Sequence, residues 1–128
     1  MLGRKTGSGF YKYAGKQQSP NESIEQWRTR ESEQTEGDLA RRLVFLMVNE
    51  AARCVEEGVV ASPEDADYGM ILGTGFAPHR GGPLRFADHV GAQKLTSEME
   101  RLARTDDKFA PAEILKQHAR EGTKFYEE

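Results

Sequence analysis

The chain of 128 residues carries 18 basic and 21 acidic side chains, a formal charge of −3, and one cysteine. That length holds one domain and its core, and the interleaved charges argue against a nucleic-acid or anionic-membrane surface. A lone Cys54 excludes an internal disulfide and points to a reducing compartment, the cytoplasm, while no apolar run reaches the ~20 residues of a membrane helix and the opening MLGRKTGSGF has no signal core.

Met1 to Tyr13 holds three glycines and three aromatics without helical period, and reads as an extended or turning arm whose aromatics bury themselves. Ala14 to Gly37 is polar, with Ile24 and Trp27 as its sizeable apolar anchors, and reads as a linker with a short helix around Glu22 to Thr29. Residues 1–37 are therefore assigned as arm and linker, and 38–128 as a helical domain. Asp38 is the expected N-cap of the best helix, in which Leu39, Leu43, Leu46, Met47 and Ala51 recur at three- and four-residue spacing before a stop at Gly58. Its run from Leu43 to Val48 is apolar on every side, as in the central helix of a bundle.

Ser62-Pro63-Glu64-Asp65 combines a hydroxyl cap, proline in the first turn and acids at the positive helix end, and predicts a helix from Pro63 to about Leu72. Gly73 and Gly75 end it, an irregular loop follows over Phe76 to Gly82, and Pro83 opens a third helix to about Val90, with Gly91 as its break or cap. Leu95, Met99 and Leu102 mark one face of a fourth helix. Pro111 starts a fifth, through Ile114 and Leu115 to Gly122, with Phe125 and Tyr126 tucking back. The expected fold class is all-α, about five helices and no strand.

Two stretches are specific beyond their period. GRKTGSGFYKY, Gly3 to Tyr13, resembles a segment found late in 3-hydroxyacyl-coenzyme A dehydrogenases, and RLVFLMVNEAARCVEEGVVASPEDADYGMILGTGFAPHRGGPLRFADHVG, Arg42 to Gly91, resembles the final helical repeat of the multifunctional fatty-acid oxidation α subunits. The resemblance implies a C-terminal bundle of a β-oxidation enzyme. In that family an upstream Rossmann-type domain binds NAD, the catalytic His and Glu also lie upstream, and the helical repeats complete the substrate cleft and pack subunits. This chain would then be inactive alone, its partners being the upstream NAD-binding and catalytic domains, with self-association through exposed apolar faces as a further expectation. The residues agree: Gly73-Thr74-Gly75 follows a helix rather than a strand and has Pro78 at the third glycine position, so no dinucleotide site is assigned. Gly3-Arg4-Lys5-Thr6-Gly7 has phosphate-loop composition in the wrong order and without a preceding strand.

No catalytic, cofactor-binding or metal-binding residue is assigned. The candidate interface is the loop Gly73, Thr74, Gly75, Phe76, Pro78, His79, Arg80, Gly81, Gly82 and Pro83, whose glycines permit close approach of another domain or simply a tight helix connection. His79 and Arg80 suit a coenzyme A phosphate, although solvated loop charges are commoner, and His79, His89 and His118 have no metal spacing. Glu50 in an apolar helix is expected to make a structural hydrogen bond to an adjacent helix end or loop, and Cys54 to pack as a small apolar side chain. Phe10, Tyr11 and Tyr13 either stack on a ligand base or, more commonly, anchor the arm. The alternative to an enzyme component is a free-standing helical interaction or acyl-coenzyme A-binding module; a small stand-alone enzyme lacks an acid–base pair.

Overall fold

The computed structural model describes residues 2–27 and 34–126, which divide between one unit within 1–34 and another within 35–128. In the first, a 3-10 turn over Arg4–Thr6 precedes an antiparallel hairpin, β1 (Tyr11–Ala14) and β2 (Gln17–Pro20), with Tyr11 opposite Pro20 and Ala14 opposite Gln17. This corrects the expectation of no strand. Gly15 takes φ 60°, the left-handed conformation a two-residue hairpin turn calls for. The polar QQSP strand is fixed by backbone pairing with no burial of its own, which is why hydrophobic period could not reveal it.

Asn21 is the buried polar anchor of this unit: its Nδ2 donates to Gly9 O at 2.7 Å and Ser8 Oγ at 3.2 Å, and its Oδ1 accepts from Ser23 N and Oγ. The aromatics do not bury as expected, Phe10 being 78% and Tyr11 46% exposed. The predicted short helix is a 3-10 segment, Glu22–Trp27, and its expected last residues, Arg28 and Thr29, lie outside the described residues.

The second unit contains α1 (Glu36–Glu56), α2 (Pro63–Thr74), α3 (Pro83–Val90), α4 (Ala92–Ala103) and α5 (Glu113–Glu121). Helix α1 starts earlier than the sequence suggests. Thr35 is its N-cap and Asp38 occupies the third helical position, the two forming a reciprocal capping box: Asp38 N donates to Thr35 Oγ1 at 3.1 Å and Thr35 N to the Asp38 carboxylate at 3.2 Å. Both positions carry a capping side chain, and the acid is the reciprocal partner.

Phe45, Val48, Ala51 and Ala52 of α1 pack into a core with Leu84, Leu95, Met99, Leu102 and Leu115, drawn from α3, α4 and α5. Helix α1 is central in that it meets α2, α3 and α5, but it is not covered all round: Leu39 and Leu43 are 46% and 63% exposed. Gly91, at φ 89°, ends α3 and begins α4 in one residue. Helix α5 starts at Glu113, two residues after the proline expected to open it. The cause is Asn49, 2% exposed, whose amide donates to Ala110 O at 2.8 Å and accepts from Ala112 N at 2.8 Å, holding the backbone extended through that point. Glu56 Oε1 then accepts from Ile114 N at 3.1 Å, so the end of α1 satisfies a free amide at the start of α5.

Candidate functional site

Helix α2 runs two residues further than predicted, so Gly73 and Thr74 of the candidate loop are helical; the Thr74 hydroxyl satisfies Met70 O at 2.7 Å. Gly75 caps the helix in the left-handed conformation, φ 72°. Phe76 is buried, Pro78–Arg80 form a 3-10 turn, and Gly81 (φ 75°) and Gly82 (φ 109°) lead into Pro83.

The position of that entry is set by Asp67, a carboxylate 2% exposed on α2. Its Oδ1 accepts from Leu84 N at 2.7 Å, and its Oδ2 from Arg85 N at 2.9 Å and from the Tyr126 hydroxyl at 2.6 Å. Asp67 thus caps α3 from another helix, with negative charge at the positive end of the dipole. Pro83 fits the first helical position because it has no amide to satisfy. Gly82 lies so close that a Cβ there would overlap the Asp67 side chain. Gly81 is similarly confined, a Cβ falling 2.9 Å from Arg85 Cγ. Both glycines therefore have a reason inside the chain.

Segment 122–126 seals this corner. Asp88 of α3 accepts from Phe125 N and Tyr126 N, each at 3.0 Å, which carries the Tyr126 hydroxyl to Asp67. Burial, and then the hydrogen bond to and charge of Asp67, push the Tyr126 phenol well above the ordinary tyrosine range. His118 pairs with Thr123 Oγ1 at 2.8 Å and packs its ring on Phe125, centroids 4.4 Å apart. It is thereby a structural residue of this turn.

Against the same corner opens a pocket of about 640 Å³ lined by His79, Arg80, Arg85, Phe86, Asp88, His89, Lys124 and Tyr126. The structure so brings His79 and Arg80 together with His89, a juxtaposition the sequence did not suggest. The Arg85 guanidinium lies 3.7 Å from the Tyr126 ring centroid and that of Arg80 5.3 Å from the Phe86 centroid. Among the described residues no group of three metal-ligating side chains occurs, and no helix is long and apolar enough to cross a membrane.

A second concavity, about 460 Å³, runs between α1 and α2 over Leu46, Met47, Ala51, Cys54, Val60 and Met70. Cys54 is half-buried there among apolar neighbours. Glu50 borders it but does not make the expected structural hydrogen bond to a helix end or loop. Its side chain is 72% exposed, with Arg53 at 4.0 Å, and the adjacent Asn49 makes the bonds expected of it. One residue is a 100° rotation on a helix, enough to move a side chain from the core to solvent. The bonding roles of Asn49, Asp67 and Asp88 were missed, while Tyr126 was expected to tuck back but without its partner; a polar residue interrupting an apolar run was the available signal for Asn49, and none was present for Asp67 just after an acidic first turn.

Comparison with known proteins agrees with this architecture. The chain is 42% identical to the fatty acid oxidation complex subunit alpha of Vibrio vulnificus over 98% of its own length, and 45% identical to that of Shewanella amazonensis over 97%. It spans 18% of the length of each of these relatives. The family described as "3-hydroxyacyl-CoA dehydrogenase, C-terminal domain" matches residues 37–126, and the chain belongs to that family.

Proposed function

We propose that this chain serves as the C-terminal helical domain of an NAD-dependent 3-hydroxyacyl-CoA dehydrogenase of fatty-acid β-oxidation. In this role it supports the substrate cleft and packs against the upstream NAD-binding and catalytic domains, without catalysis of its own. The observation that carries the reading is the apolar face on α1 and α2. Leu39, Leu43, Leu46 or Met47, Glu50 and Cys54 follow one another at helical spacing along α1, and Leu39, Leu43, Tyr68 and Leu72 are 46%, 63%, 67% and 70% exposed. Exposed apolar side chains gathered on adjoining helices mark an interaction surface.

Two glycines strengthen it. Gly69 and Gly73 lie one turn apart within α2, where glycine costs roughly 0.5–1 kcal/mol relative to alanine, and a Cβ at either would meet nothing within 4 Å. Their use has no reason within this chain, and close approach of another element supplies one. The candidate loop from Gly73 to Pro83 continues that surface from the end of α2.

The free-standing interaction module is the second reading, and the size of the native product separates the two. An immunoblot of the source cells should show a band several times heavier than 14.4 kDa. A band at 14.4 kDa with none larger would overturn the domain assignment.

A further inference from the structure

We propose that the pocket walled by His79, Arg80, Arg85, His89 and Lys124 binds a small phosphate dianion, either inorganic phosphate or the phosphomonoester of a larger ligand. The chain as a whole is acidic, with a net charge of −3, yet this concavity gathers two arginines, a lysine and two histidines around one carboxylate, Asp88. Both oxygens of that carboxylate already accept backbone amides, from Phe125 and Tyr126 at 3.0 Å. Those bonds fix the segment that carries Lys124 and leave Asp88 committed away from the arginines.

Neither Arg80 nor Arg85 has a carboxylate within ion-pair distance among the described residues. Each guanidinium is held instead by an aromatic ring, Arg80 by Phe86 and Arg85 by Tyr126. A guanidinium laid on a ring keeps its edge N–H groups for a planar or tetrahedral oxyanion, and its orientation costs the ligand little entropy. Arg85 and His89 are one turn apart on α3 and share a face, while Arg80 projects from the preceding 3-10 turn, so donors approach the pocket from separate elements. Phe86 and Tyr126 have rings already engaged by arginine, which favours recognition of a phosphate over stacking of a base.

The pocket shares no lining residue with the apolar groove between α1 and α2. His79 and Arg80 also belong to the loop 73–83 that extends the docking surface, but the docking reading is carried by the face on α1 and α2, so the phosphate inference can fail without it.

The test is titration of the 15N-labelled 128-residue chain with inorganic phosphate, coenzyme A and dephospho-coenzyme A at fixed low ionic strength. Saturable shifts are expected at the amides of residues 79–89 and 124–126. Arg80→Ala should weaken binding at least tenfold without changing Tm, and Arg80→Lys should lose less, since it keeps the charge and gives up the fork. Coenzyme A binding tightly, and tenfold better than its analogue lacking the 3′-phosphate, identifies a nucleotide phosphomonoester as the source. Equal binding of inorganic phosphate and coenzyme A identifies the free dianion. Either supports the pocket. The proposal is overturned if none of the three saturates, if coenzyme A and dephospho-coenzyme A bind alike while phosphate does not, or if Arg80→Ala binds as the parent does.

Discussion

Asp67→Ala would remove the acceptor for three donors, Leu84 N, Arg85 N and the Tyr126 hydroxyl, at 2.7, 2.9 and 2.6 Å. Hydrogen bonds to a charged group contribute about 1.5–3 kcal/mol each, and a buried donor left without a partner costs about 1–3 kcal/mol. Leu84 and Tyr126 are buried and Arg85 is exposed, so the Arg85 amide can turn to water and the other two cannot. Allowing for the non-additivity of contacts in one network, the loss should be about 3–5 kcal/mol. At about 4–8 °C per kcal/mol for a domain of this size, Tm should fall by roughly 12–40 °C. The assay is urea unfolding followed by far-ultraviolet circular dichroism on Asp67→Ala, Tyr126→Phe and the double variant. Tyr126→Phe should cost about 1.5–3 kcal/mol alone and at least about 1 kcal/mol less once Asp67 is gone. A loss below about 1 kcal/mol for Asp67→Ala, or strict additivity of the pair, would refute the assignment of Asp67 as the shared acceptor.

Asn49→Ala should destabilise by about 2–4 kcal/mol through the lost bonds to Ala110 O and Ala112 N; Asn49→Asp should do no better, since it brings a carboxylate against a carbonyl, and denaturant midpoints will tell. Because the native Tyr126 phenol titrates above its ordinary range, the unfolded chain loses that proton first as pH rises past about 10. The contribution is complete below that pH and declines above it, so the stability gap between the parent and Tyr126→Phe should narrow from pH 8 to pH 11 in parallel urea titrations. Gly69→Ala should stabilise the isolated chain by about 0.5–1 kcal/mol while weakening its association with the upstream domains in a pull-down; unchanged association would remove the argument from these glycines.

Some helix ends were legible because they are written in neighbouring residues. Ser62 and Pro63 open α2 as expected, and Gly91 and Gly122 stand at helix ends. The period of Leu95, Met99 and Leu102 gave the buried face of α4 directly. What escaped depends on partners far away in the chain. Asp67 reads locally as one more acid just after the acidic first turn of α2, and only the arrival of Leu84 and Tyr126 makes it the buried cap of another helix. Leu39 and Leu43 read as core because period alone does not say which apolar stripe the rest of the chain covers. The loop 73–83 was recognisable as unusual from its glycines and prolines, but the confinement of Gly82 by Asp67 is tertiary and had no sequence signal. His79 and Arg80 were identified as phosphate-compatible, whereas Arg85 and Lys124 join them only through the fold.

The corner at Asp67 also imposes an order on synthesis. Its backbone partners Leu84 and Arg85 follow within 17 and 18 positions, so the α2–α3 junction can assemble soon after both have left the ribosome. Tyr126 comes 59 positions after Asp67. Until it emerges, a carboxylate destined for a dry site lacks its third donor and the ring that covers it. A nascent chain from which residues 84 and 85 have emerged but 122–126 have not should therefore hold a wet, unsealed junction, the state most open to proteases and chaperones. Emergence of segment 122–126 is then the event that commits this half of the bundle.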